Sequence, residues 1–259
     1  MELLFSKYQG AGNDFIIIDN RSNSFPKNNI EIIRKLCDRR FGVGADGLIL
    51  LENSTKNDFT MVYYNADGNE STMCGNGGRC IVAFAKHLDI IGDKTIFDAI
   101  DGKHVATIKE DMVRLQMIDI DKIDLFENHT FLNTGSPHHI SFDSNIDKLD
   151  IKKLGKKIRY GAPYFEEGTN VNFVEQISDN SFKIRTYERG VENETLACGT
   201  GATAVAIAAN KLNKTTLNTV KIEVLGGSLE VSFKKAGDQY KNVFLKGPAQ
   251  LVFKGNISI

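Results

Sequence analysis

The sequence predicts an α+β protein built from two pseudo-symmetric halves, each a mixed β-sheet wrapped around one buried central helix. Three observations support this fold class. Segments that alternate or are rich in β-branched residues run through the chain, a motif recurs about half a chain apart, and each copy is followed by an apolar, alanine-rich run. With 259 residues, of which 41% are hydrophobic and 25% charged, the chain can bury a substantial core.

Composition and charge exclude several classes of function. The formal net charge is −1, which provides no electrostatic footprint for nucleic acid or for an anionic membrane. Apolar stretches are too short to span a bilayer, and the first residues lack the layout of a signal peptide. Four cysteines are too few for a disulfide framework. We therefore expect a cytoplasmic protein with reduced thiols.

The repeat relates Phe59–Leu88 to Phe182–Leu212. Each segment contains an alternating strand, a polar turn, a Cys-Gly-x-Gly motif and an apolar run, and the two motif cysteines are 124 residues apart. Two more pairs of landmarks recur at nearly this offset: Gly44–Leu50 with Gly168–Val174, and Gly12–Phe15 with Gly135–His138. We predict homologous halves at residues 1–120 and 121–247, with residues 248–259 outside the repeat.

Within the first half the individual elements follow from local patterns. Four segments read as strands: Leu3–Tyr8, Phe15–Asp19, Gly47–Glu52 and Phe59–Tyr64. Ile30–Arg40 has one apolar stripe and predicts an amphipathic helix. Cys80–His87 and Ala202–Leu212 are apolar on all sides and rich in alanine, which indicates helices enclosed by other elements. A strand over Ile81–Phe84 is the alternative.

Cys74 and Cys198 are predicted at the first turns of these two enclosed helices. Free N–H groups and the positive end of the helix dipole stabilise an anion there, either a thiolate or a ligand carboxylate. If the halves are related by approximate twofold symmetry, both thiols can serve one site from opposite sides. That arrangement suits inversion at the α-carbon of an amino acid, because one thiolate removes the α-proton and the other thiol delivers one. Such a reaction requires no cofactor.

Other interpretations of the cysteines are weaker. A cysteine is more often a small buried hydrophobe, and this is our interpretation of Cys37 and Cys80. The spacing of Cys74 and Cys80 does not match a zinc site, so no metal is predicted. A phosphate-binding loop is a stronger rival for the glycine-rich turns, but neither turn carries the P-loop pattern.

The chain resembles the diaminopimelate epimerase family along nearly its whole length. The matching segments are Gly10–Phe15, Gly42–Gly47, Tyr64–Gly68, Met73–Arg79, Gly168–Asn170, Tyr187–Gly190 and Leu196–Gly201. The resemblance implies a cofactor-independent isomerase that converts LL- to meso-diaminopimelate, on the route to lysine and cell wall. It also implies two pseudo-symmetric halves, a homodimer, and a last strand that returns to the first half.

Matching the family motifs residue by residue implies roles for particular side chains. Cys74 and Cys198 correspond to the acid/base pair, and His138 with Glu188 corresponds to groups that tune the thiols. The resemblance implies a substrate-binding set that comprises Asn13, Asn65, Gly75, Asn76, Asn170, Glu188, Arg189, Gly199 and Thr200. A guanidinium and side-chain amides suit the distal carboxylate and ammonium of such a substrate. Without the motif context, Asn13 and Asn65 are better explained as turn formers, and Glu188 with Arg189 as a solvated pair.

Two positions depart from the family pattern. Ser136 stands where many members have asparagine, and Gly47 stands where some have glutamine. Both shorten a polar side chain near the expected substrate, and water could fill the space. Three alternative functions remain open at this point: a proline racemase or hydroxyproline epimerase, a thiol-redox protein that pairs Cys74 with Cys198, and a silent binding module.

Overall fold

The computed structural model describes residues 2–259 and divides the chain into two units. The first unit comprises Met1–Leu115 and Gly247–Ile259, and the second comprises Gln116–Lys246. Within the described residues, no helix is both long enough and apolar enough to cross a membrane. The α+β fold class is confirmed, since strands dominate and each unit contains one fully enclosed helix.

Among residues 2–115 and 247–259, the first unit contains two helices and nine strands. Its helices are α1 (Ile30–Cys37) and α2 (Gly75–His87). Its strands are β1 (Glu2–Gly10), β2 (Asn13–Asp19), β3 (Gly47–Glu52), β4 (Phe59–Asn65), β5 (Glu70–Ser71), β6 (Lys94–Ala99), β7 (Gly102–Lys109), β8 (Met112–Gln116) and, at the end of the chain, β18 (Gln250–Ser258). Strand β18 pairs antiparallel with β1, so the last residues complete the sheet in which the chain begins.

The second unit repeats this order with two α-helices, one 3₁₀ turn and nine strands. Its helices are α3 (Ile151–Tyr160) and α4 (Gly199–Lys211), with the 3₁₀ turn at Ile146–Lys148. Its strands are β9 (Ile123–Leu125), β10 (Thr130–Asn133), β11 (Pro137–Phe142), β12 (Asn170–Ser178), β13 (Ser181–Glu188), β14 (Asn193–Thr195), β15 (Thr219–Val224), β16 (Gly227–Ala236) and β17 (Gln239–Pro248).

Strand register shows how closely the two units correspond. In the first unit β2 and β3 are parallel with Phe15 opposite Gly47, and in the second β11 and β12 are parallel with His139 opposite Val171. Both members of the second pair lie 124 residues after their counterparts. Helices α2 and α4 have 13 residues each and begin 124 residues apart. The internal repeat in the sequence is therefore a repeat of structure.

The two enclosed helices owe their stability to burial more than to propensity. Helix α4 is alanine-rich and buried from Ala202 to Asn210, whereas α2 starts with three glycines in four residues, which alone would disfavour a helix. One of those glycines, Gly77, lies so close to the side chains of β2, β3 and β4 that a methyl group there would already be in contact. Close packing on the sheet thus offsets the poor propensity of the first turn of α2.

Helix α1 ends earlier than the apolar stripe predicts. The expected helix over Ile30–Arg40 stops at Cys37, because Asp38 adopts an extended conformation and its carboxylate accepts hydrogen bonds from the backbone N–H groups of Arg40 and Phe41. An aspartate that bonds the backbone just ahead of it favours a turn over another helical residue. The loop that follows leads to Asp46 at the start of β3.

Cys37 and Cys80 lie in the interior of the first unit. Cys37 packs in the apolar core beneath α1, and Cys80 is fully buried in α2. Burial raises the pKa of each thiol to about 12, so both stay protonated at neutral pH. This environment is what a packing role requires.

Candidate active site

The half-site of the first unit is built on the start of α2. Cys74 is the N-cap residue of this helix, one position before the first turn, and it is partly exposed. The first backbone bond inside the helix runs from Gly78 N–H to Cys74 O at 2.7 Å, so the N–H groups of residues 75–77 precede the intrahelical ladder. A thiol and a group of N–H donors therefore occupy the same end of a buried helix.

Asn13 and Asn76 are joined directly beside this helix start. The Nδ2 group of Asn76 donates to Oδ1 of Asn13 at 2.6 Å, and Nδ2 of Asn13 donates to a carboxylate oxygen of Asp46 at 2.9 Å. Asp46 is in turn paired with Arg39 at 2.8 Å. This chain fixes the orientation of both amides, because each amide has a donor on one side and an acceptor on the other.

Arg79 completes the chain from the opposite end. Its guanidinium donates to Oδ1 of Asn76 at 2.9 Å and to Gly75 O at 3.2 Å, and its side chain is fully buried. Gly10 lies close to this group, since a Cβ at this position would be in tight contact, 3.2 Å from Cys80 Sγ and 3.4 Å from the guanidinium. Arg79 ends the family-like segment Met73–Arg79, but the sequence predicts no role for it.

Asn65 lies at the end of β4, where it is exposed and stands opposite Gly47 in β3. Its neighbour Ala66 donates its backbone N–H to Asp46 O at 3.2 Å, which places Asn65 next to the Asp46 end of the chain. At Gly47 there is no room for a longer side chain or for water. A Cβ would lie 2.5 Å from Tyr64 O and 2.6 Å from the Tyr63 ring, so the aromatic side chain occupies this space.

The half-site of the second unit is built on the start of α4. Cys198 is the N-cap residue and is buried, with 6% of its surface exposed. Its Sγ accepts from Gly201 N–H at 3.4 Å and lies 3.4 Å from the hydroxyl of Thr200. The Thr134 hydroxyl donates to Thr200 O at 2.9 Å, which ties this first turn to the end of β10. Gly199 and Thr200 therefore occupy the positions that Gly75 and Asn76 hold in the first unit.

His138 lies on β11, fully buried and beside Asn172 of β12. Nδ2 of Asn172 is 3.1 Å from Nδ1 of His138, while Nε2 of His138 is buried with no hydrogen-bond partner among the described residues. Burial, followed by the charge of Arg189, lowers the pKa of His138 to about 3. The imidazole is therefore neutral at physiological pH, and its Nε2 atom is available to bind another group.

Asn172 also lies against α4. A Cβ at Gly201 would be 2.6 Å from Oδ1 of Asn172 and 3.3 Å from Sγ of Cys198, so only glycine allows this approach. No role for Asn172 was predicted from the sequence. The available signal was its position, since Asn170 and Asn172 alternate on one face of a buried strand where apolar residues are expected.

Asn170 lies at the start of β12 and links three segments of the second unit. Its Nδ2 group donates to the Ser136 hydroxyl at 2.8 Å and to Pro137 O at 3.1 Å, and its Oδ1 accepts from the backbone N–H of Arg189 at 2.9 Å. Ser136 thus uses its short side chain to hold Asn170. Arg189 is exposed, follows half-buried Glu188 at the end of β13, and donates to Glu167 O at 2.9 Å.

The expected site residues therefore form two groups, one in each unit. Cys74, Gly75, Asn76 and Asn13 lie together in the first unit, with Asn65 at the edge of the group. In the second unit, Cys198, Gly199, Thr200 and His138 gather around Asn172, and Asn170 positions the segment that carries Glu188 and Arg189. Each group combines a thiol at a helix N-cap with backbone donors and fixed amides, which is a setting suited to proton transfer and carboxylate binding.

Comparison with known proteins identifies the family. The chain matches the family model for diaminopimelate epimerase over residues 5–122 and 130–252. It is 60% identical over 252 residues to the diaminopimelate epimerase of Flavobacterium psychrophilum, covering 97% of this chain and 98% of that protein. The diaminopimelate epimerase of Chlorobaculum tepidum is 46% identical over 259 residues, covering 96% of this chain and 99% of the relative.

Solved structures confirm the fold. A phenazine biosynthesis protein of the PhzF family from Bacillus anthracis superposes with a TM-score of 0.77 at 14% identity, with both chains fully covered. A hydroxyproline epimerase from Agrobacterium vitis superposes with a TM-score of 0.68 at 13% identity, covering 100% of this chain and 93% of that one. Sequence identity to the relatives, rather than this structural likeness, decides the family: the chain belongs to the diaminopimelate epimerases, a family of amino-acid isomerases.

Proposed function

We propose that this protein interconverts LL- and meso-2,6-diaminopimelate by transferring the α-proton between two thiols. Inversion requires a base on one face of the α-carbon and an acid on the other. Cys74 and Cys198 take these two roles, and the roles exchange when the reaction runs in reverse. Each thiol removes or delivers one proton, so no electron transfer and no cofactor is required.

The α-carbanion that forms must be stabilised, because the α-proton of an amino acid is only weakly acidic. The N–H groups at the starts of α2 and α4 bind the carboxylate next to the reacting carbon and hold the charge as it moves onto the carboxylate oxygens. Donors fixed in a buried helix need no reorganisation during the reaction, which makes them effective electrostatic catalysts. Gly75, Asn76, Gly199 and Thr200 supply this binding site.

The far end of the substrate carries a second amino-acid group. We assign its carboxylate to the guanidinium of Arg189 and its polar contacts to Glu188 and to the amides of Asn13, Asn65 and Asn170. Support comes from the hydrogen bonds that fix these groups: Asn13 is held between Asn76 and Asp46, and Asn170 holds the backbone of Arg189. We assign to His138 and Glu188 the role of tuning the two thiols.

The observation that carries this proposal is the matched placement of Cys74 and Cys198. Both are N-caps of enclosed 13-residue helices, and each helix start has a fully buried polar side chain nearby, Arg79 in one unit and Asn172, which borders Gly201 together with the sulfur of Cys198, in the other. A packing role explains buried thiols such as Cys80, but it does not explain why backbone donors and buried polar groups gather around two equivalent positions.

Solvent exchange tests the proposal directly. We expect the enzyme in D₂O to incorporate deuterium at the α-position of LL-diaminopimelate while meso isomer forms, detected by NMR and mass spectrometry. Proline and hydroxyproline provide the comparison, since proteins with this fold include a hydroxyproline epimerase. Exchange into proline alone would refute the substrate assignment, and normal epimerisation by a Cys74→Ser, Cys198→Ser double variant would refute the two-thiol mechanism.

We also propose that the protein works in the cytoplasm as a homodimer. A reducing compartment keeps both thiols able to carry protons, because a disulfide between them could not. A second copy would cover the outer surface of the strand pair β1–β18, where Leu4 is 78% and Val252 56% exposed. Neighbouring exposed apolar residues of this kind typically mark an interface.

A further inference from the structure

Arg79 is a fully buried cation near the thiol of Cys74. Its guanidinium donates to two carbonyl groups, Gly75 O at 3.2 Å and Pro248 O at 3.3 Å, and to the side-chain oxygen of Asn76 at 2.9 Å. All three acceptors are neutral. Among residues 2–259, no carboxylate pairs with this guanidinium, although a buried charge is costly unless an opposite charge compensates it.

The groups that interact with this charge are thiols. Cys80 and Cys74 are the ionisable groups whose negative forms would favour the charged guanidinium. Burial raises the pKa of Cys80 to about 12 and therefore keeps it neutral. Cys74 is partly exposed and stands at the N-cap of the helix, so it is the one of the two that can supply the negative charge.

Other charged groups around the start of α2 have ion-pair or hydrogen-bond partners of their own. Asp14 pairs with Lys7 at 2.7 Å and with Arg39 at 2.6 Å. Asp101, which accepts from the backbone N–H of Met73 at 3.4 Å, pairs with His104 at 3.1 Å. Burial raises the pKa of Tyr8 to about 12, so its phenol is neutral. Arg79 is left as the uncompensated charge on this side.

The second unit lacks this cation at the equivalent place. Position 203 lies 124 residues after Arg79 and holds a threonine, which is also fully buried. The Thr203 hydroxyl donates to Gly199 O at 3.0 Å, the counterpart of the bond from Arg79 to Gly75 O. The two halves therefore keep the same side-chain-to-carbonyl bond one turn into the helix, but only the first half adds a positive charge.

The groups around Cys198 do not replace that charge. His138 is neutral, because burial, followed by the charge of Arg189, lowers its pKa to about 3. Arg189, whose charge contributes to that shift, is exposed to solvent, which weakens its field, and the adjacent residue Glu188 is an acid. In the first turn of α4 the sulfur of Cys198 lies against two neutral groups, the Gly201 N–H and the Thr200 hydroxyl.

We propose that Arg79 is a positioning residue that sets the resting distribution of protons: its buried charge holds Cys74 as the thiolate, and Cys198 keeps its proton. This inference rests on the proposed two-thiol mechanism and adds which thiol is the base in the free enzyme. The resting enzyme is then prepared for the isomer whose α-hydrogen faces Cys74. Catalysis on the other isomer requires the proton to move first from Cys198 to Cys74.

Alkylation by iodoacetamide, which reacts with thiolates, tests the proposal on the full chain without substrate. Peptide mass spectrometry measures the alkylation rate of each cysteine at a series of pH values. The pH at which each rate is half-maximal, its midpoint, is then compared, because solvent exposure changes the alkylation rate but not the midpoint. We expect Cys74 to have a midpoint lower than that of Cys198 by roughly one pH unit or more. A lower midpoint at Cys198 in the unmodified enzyme would overturn the proposal.

Three variants separate charge from packing. Arg79→Met should raise the Cys74 midpoint and slow its alkylation at pH 7 about tenfold, whereas Arg79→Lys, which keeps the charge, should restore most of the difference. Thr203→Val removes the equivalent bond in α4 without changing charge and should leave the Cys74 midpoint unmoved. A folded Arg79→Met protein with an unchanged Cys74 midpoint would contradict the proposal. If that variant does not fold, the unmodified enzyme and Arg79→Lys decide the question.

The test is independent of the substrate assignment. Deuterium exchange into diaminopimelate reports on the reaction, while alkylation midpoints report only on the thiols. An enzyme that fails to exchange diaminopimelate but alkylates first at Cys74 would refute the proposed function and leave the role of Arg79 standing. The reverse pair of results would refute only the role of Arg79.

Discussion

Asn172 donates a hydrogen bond from Nδ2 to Nδ1 of His138 across 3.1 Å, and both side chains are fully buried. The amide orientation is fixed by two further contacts, because Nδ2 also donates to His139 O at 3.0 Å and Oδ1 accepts from the Thr186 hydroxyl at 3.0 Å. Nδ1 of His138 must then be an acceptor, and its hydrogen resides on Nε2. A buried strand amide thus selects the tautomer of the His138 imidazole.

Replacing this amide by a carboxylate should reverse the tautomer. In Asn172→Asp the new oxygen would accept a hydrogen from Nδ1, leaving Nε2 without one. Since general acid–base groups typically contribute 10²–10⁴-fold, we expect kcat to fall roughly 10²-fold while the fold is retained. Steady-state kinetics measures kcat, and ¹⁵N NMR of the imidazole identifies which nitrogen carries the hydrogen.

Thr186→Val is the matched control for that variant. It removes the hydroxyl that donates to Oδ1 of Asn172 but leaves the donor to His138 in place, so kcat should change only a few-fold. Full activity in Asn172→Asp, combined with a hydrogen shown to lie on Nδ1, would mean that the tautomer of His138 does not matter for the reaction.

The contact between Asn13 and Asp46 predicts a binding defect. In Asp46→Ala the Asn13 amide loses its acceptor at 2.9 Å and is held only by Asn76. A freer amide binds substrate less well because it must be ordered on binding. We expect kcat/KM to fall about tenfold, equal to about 1.4 kcal/mol, mainly through a higher KM.

Arg39→Gln distinguishes this positioning role from simple loss of an ion pair. Arg39 is 57% exposed, and its pairs with Asp14 and Asp46 are screened by solvent. We expect KM for Arg39→Gln to stay within about threefold of the unmodified enzyme. Equal losses in Arg39→Gln and Asp46→Ala would show that charge, and not the orientation of Asn13, is what Asp46 contributes.

The sequence predicts the parts of the site that depend on local pattern and repetition. Helix start signals, apolar runs and a fixed offset are sufficient to place Cys74 and Cys198 at the starts of two enclosed helices. Family motifs then indicate Asn13, Asn76 and Asn170. The predicted helix starts at the two cysteines agree with the structure because a helix terminus is defined by residues close together in the chain.

Arg79 and Asn172 escape such reasoning because their roles arise from tertiary contacts. Arg79 donates a hydrogen bond to the carbonyl of Pro248, a residue 169 positions away. Asn172 packs against Gly201 of α4, where the side chain of any other residue would collide with its amide oxygen. Similarly, the Tyr63 ring fills the space beside Gly47 because of the register in which β3 pairs with β4. No periodicity within a short segment reports which side chain will occupy such a space.

Two neighbouring histidines predict how folding stability depends on pH. Burial is the main cause that lowers the pKa of His138 and of His139 to about 3, well below the ordinary value of 6.5. Below pH 6.5 the unfolded chain therefore binds more protons than the folded one. The contribution of these groups to stability is fully present above pH 6.5 and decreases as pH falls from 6.5 towards 3.

Urea unfolding at several pH values measures this effect. We expect each histidine to reduce the free energy of unfolding by about 1–2 kcal/mol at pH 5 relative to pH 7.5. The variant His139→Asn removes one titrating group. Its side-chain amide lies near the position of Nδ1 of His139, which is 2.9 Å from the Tyr164 hydroxyl. The decrease in the free energy of unfolding between pH 7.5 and pH 5 should be smaller in this variant. An unchanged decrease would show that His139 is charged in the folded protein at pH 5, as it is in the unfolded chain.

Exposed apolar residues on β1 and β18 predict that a second copy binds there. Leu4 and Val252 are 78% and 56% exposed, and β1 pairs with β18 along its length. Carboxylates at the centre of an apolar interface would be desolvated without a partner, which costs several kcal/mol. The double variant Leu4→Glu, Val252→Glu should therefore be a monomer in light scattering, whereas the unmodified protein should have twice that mass.

Ile100→Glu is the matched control, because Ile100 is 64% exposed in the same unit but lies in the turn between β6 and β7, away from β18. A general effect of added charge would lower the mass in both variants, while an interface on β1 and β18 predicts an unchanged mass for Ile100→Glu. If the unmodified protein is itself a monomer at micromolar concentration, these apolar residues do not hold two copies together, and the proposed dimer is wrong.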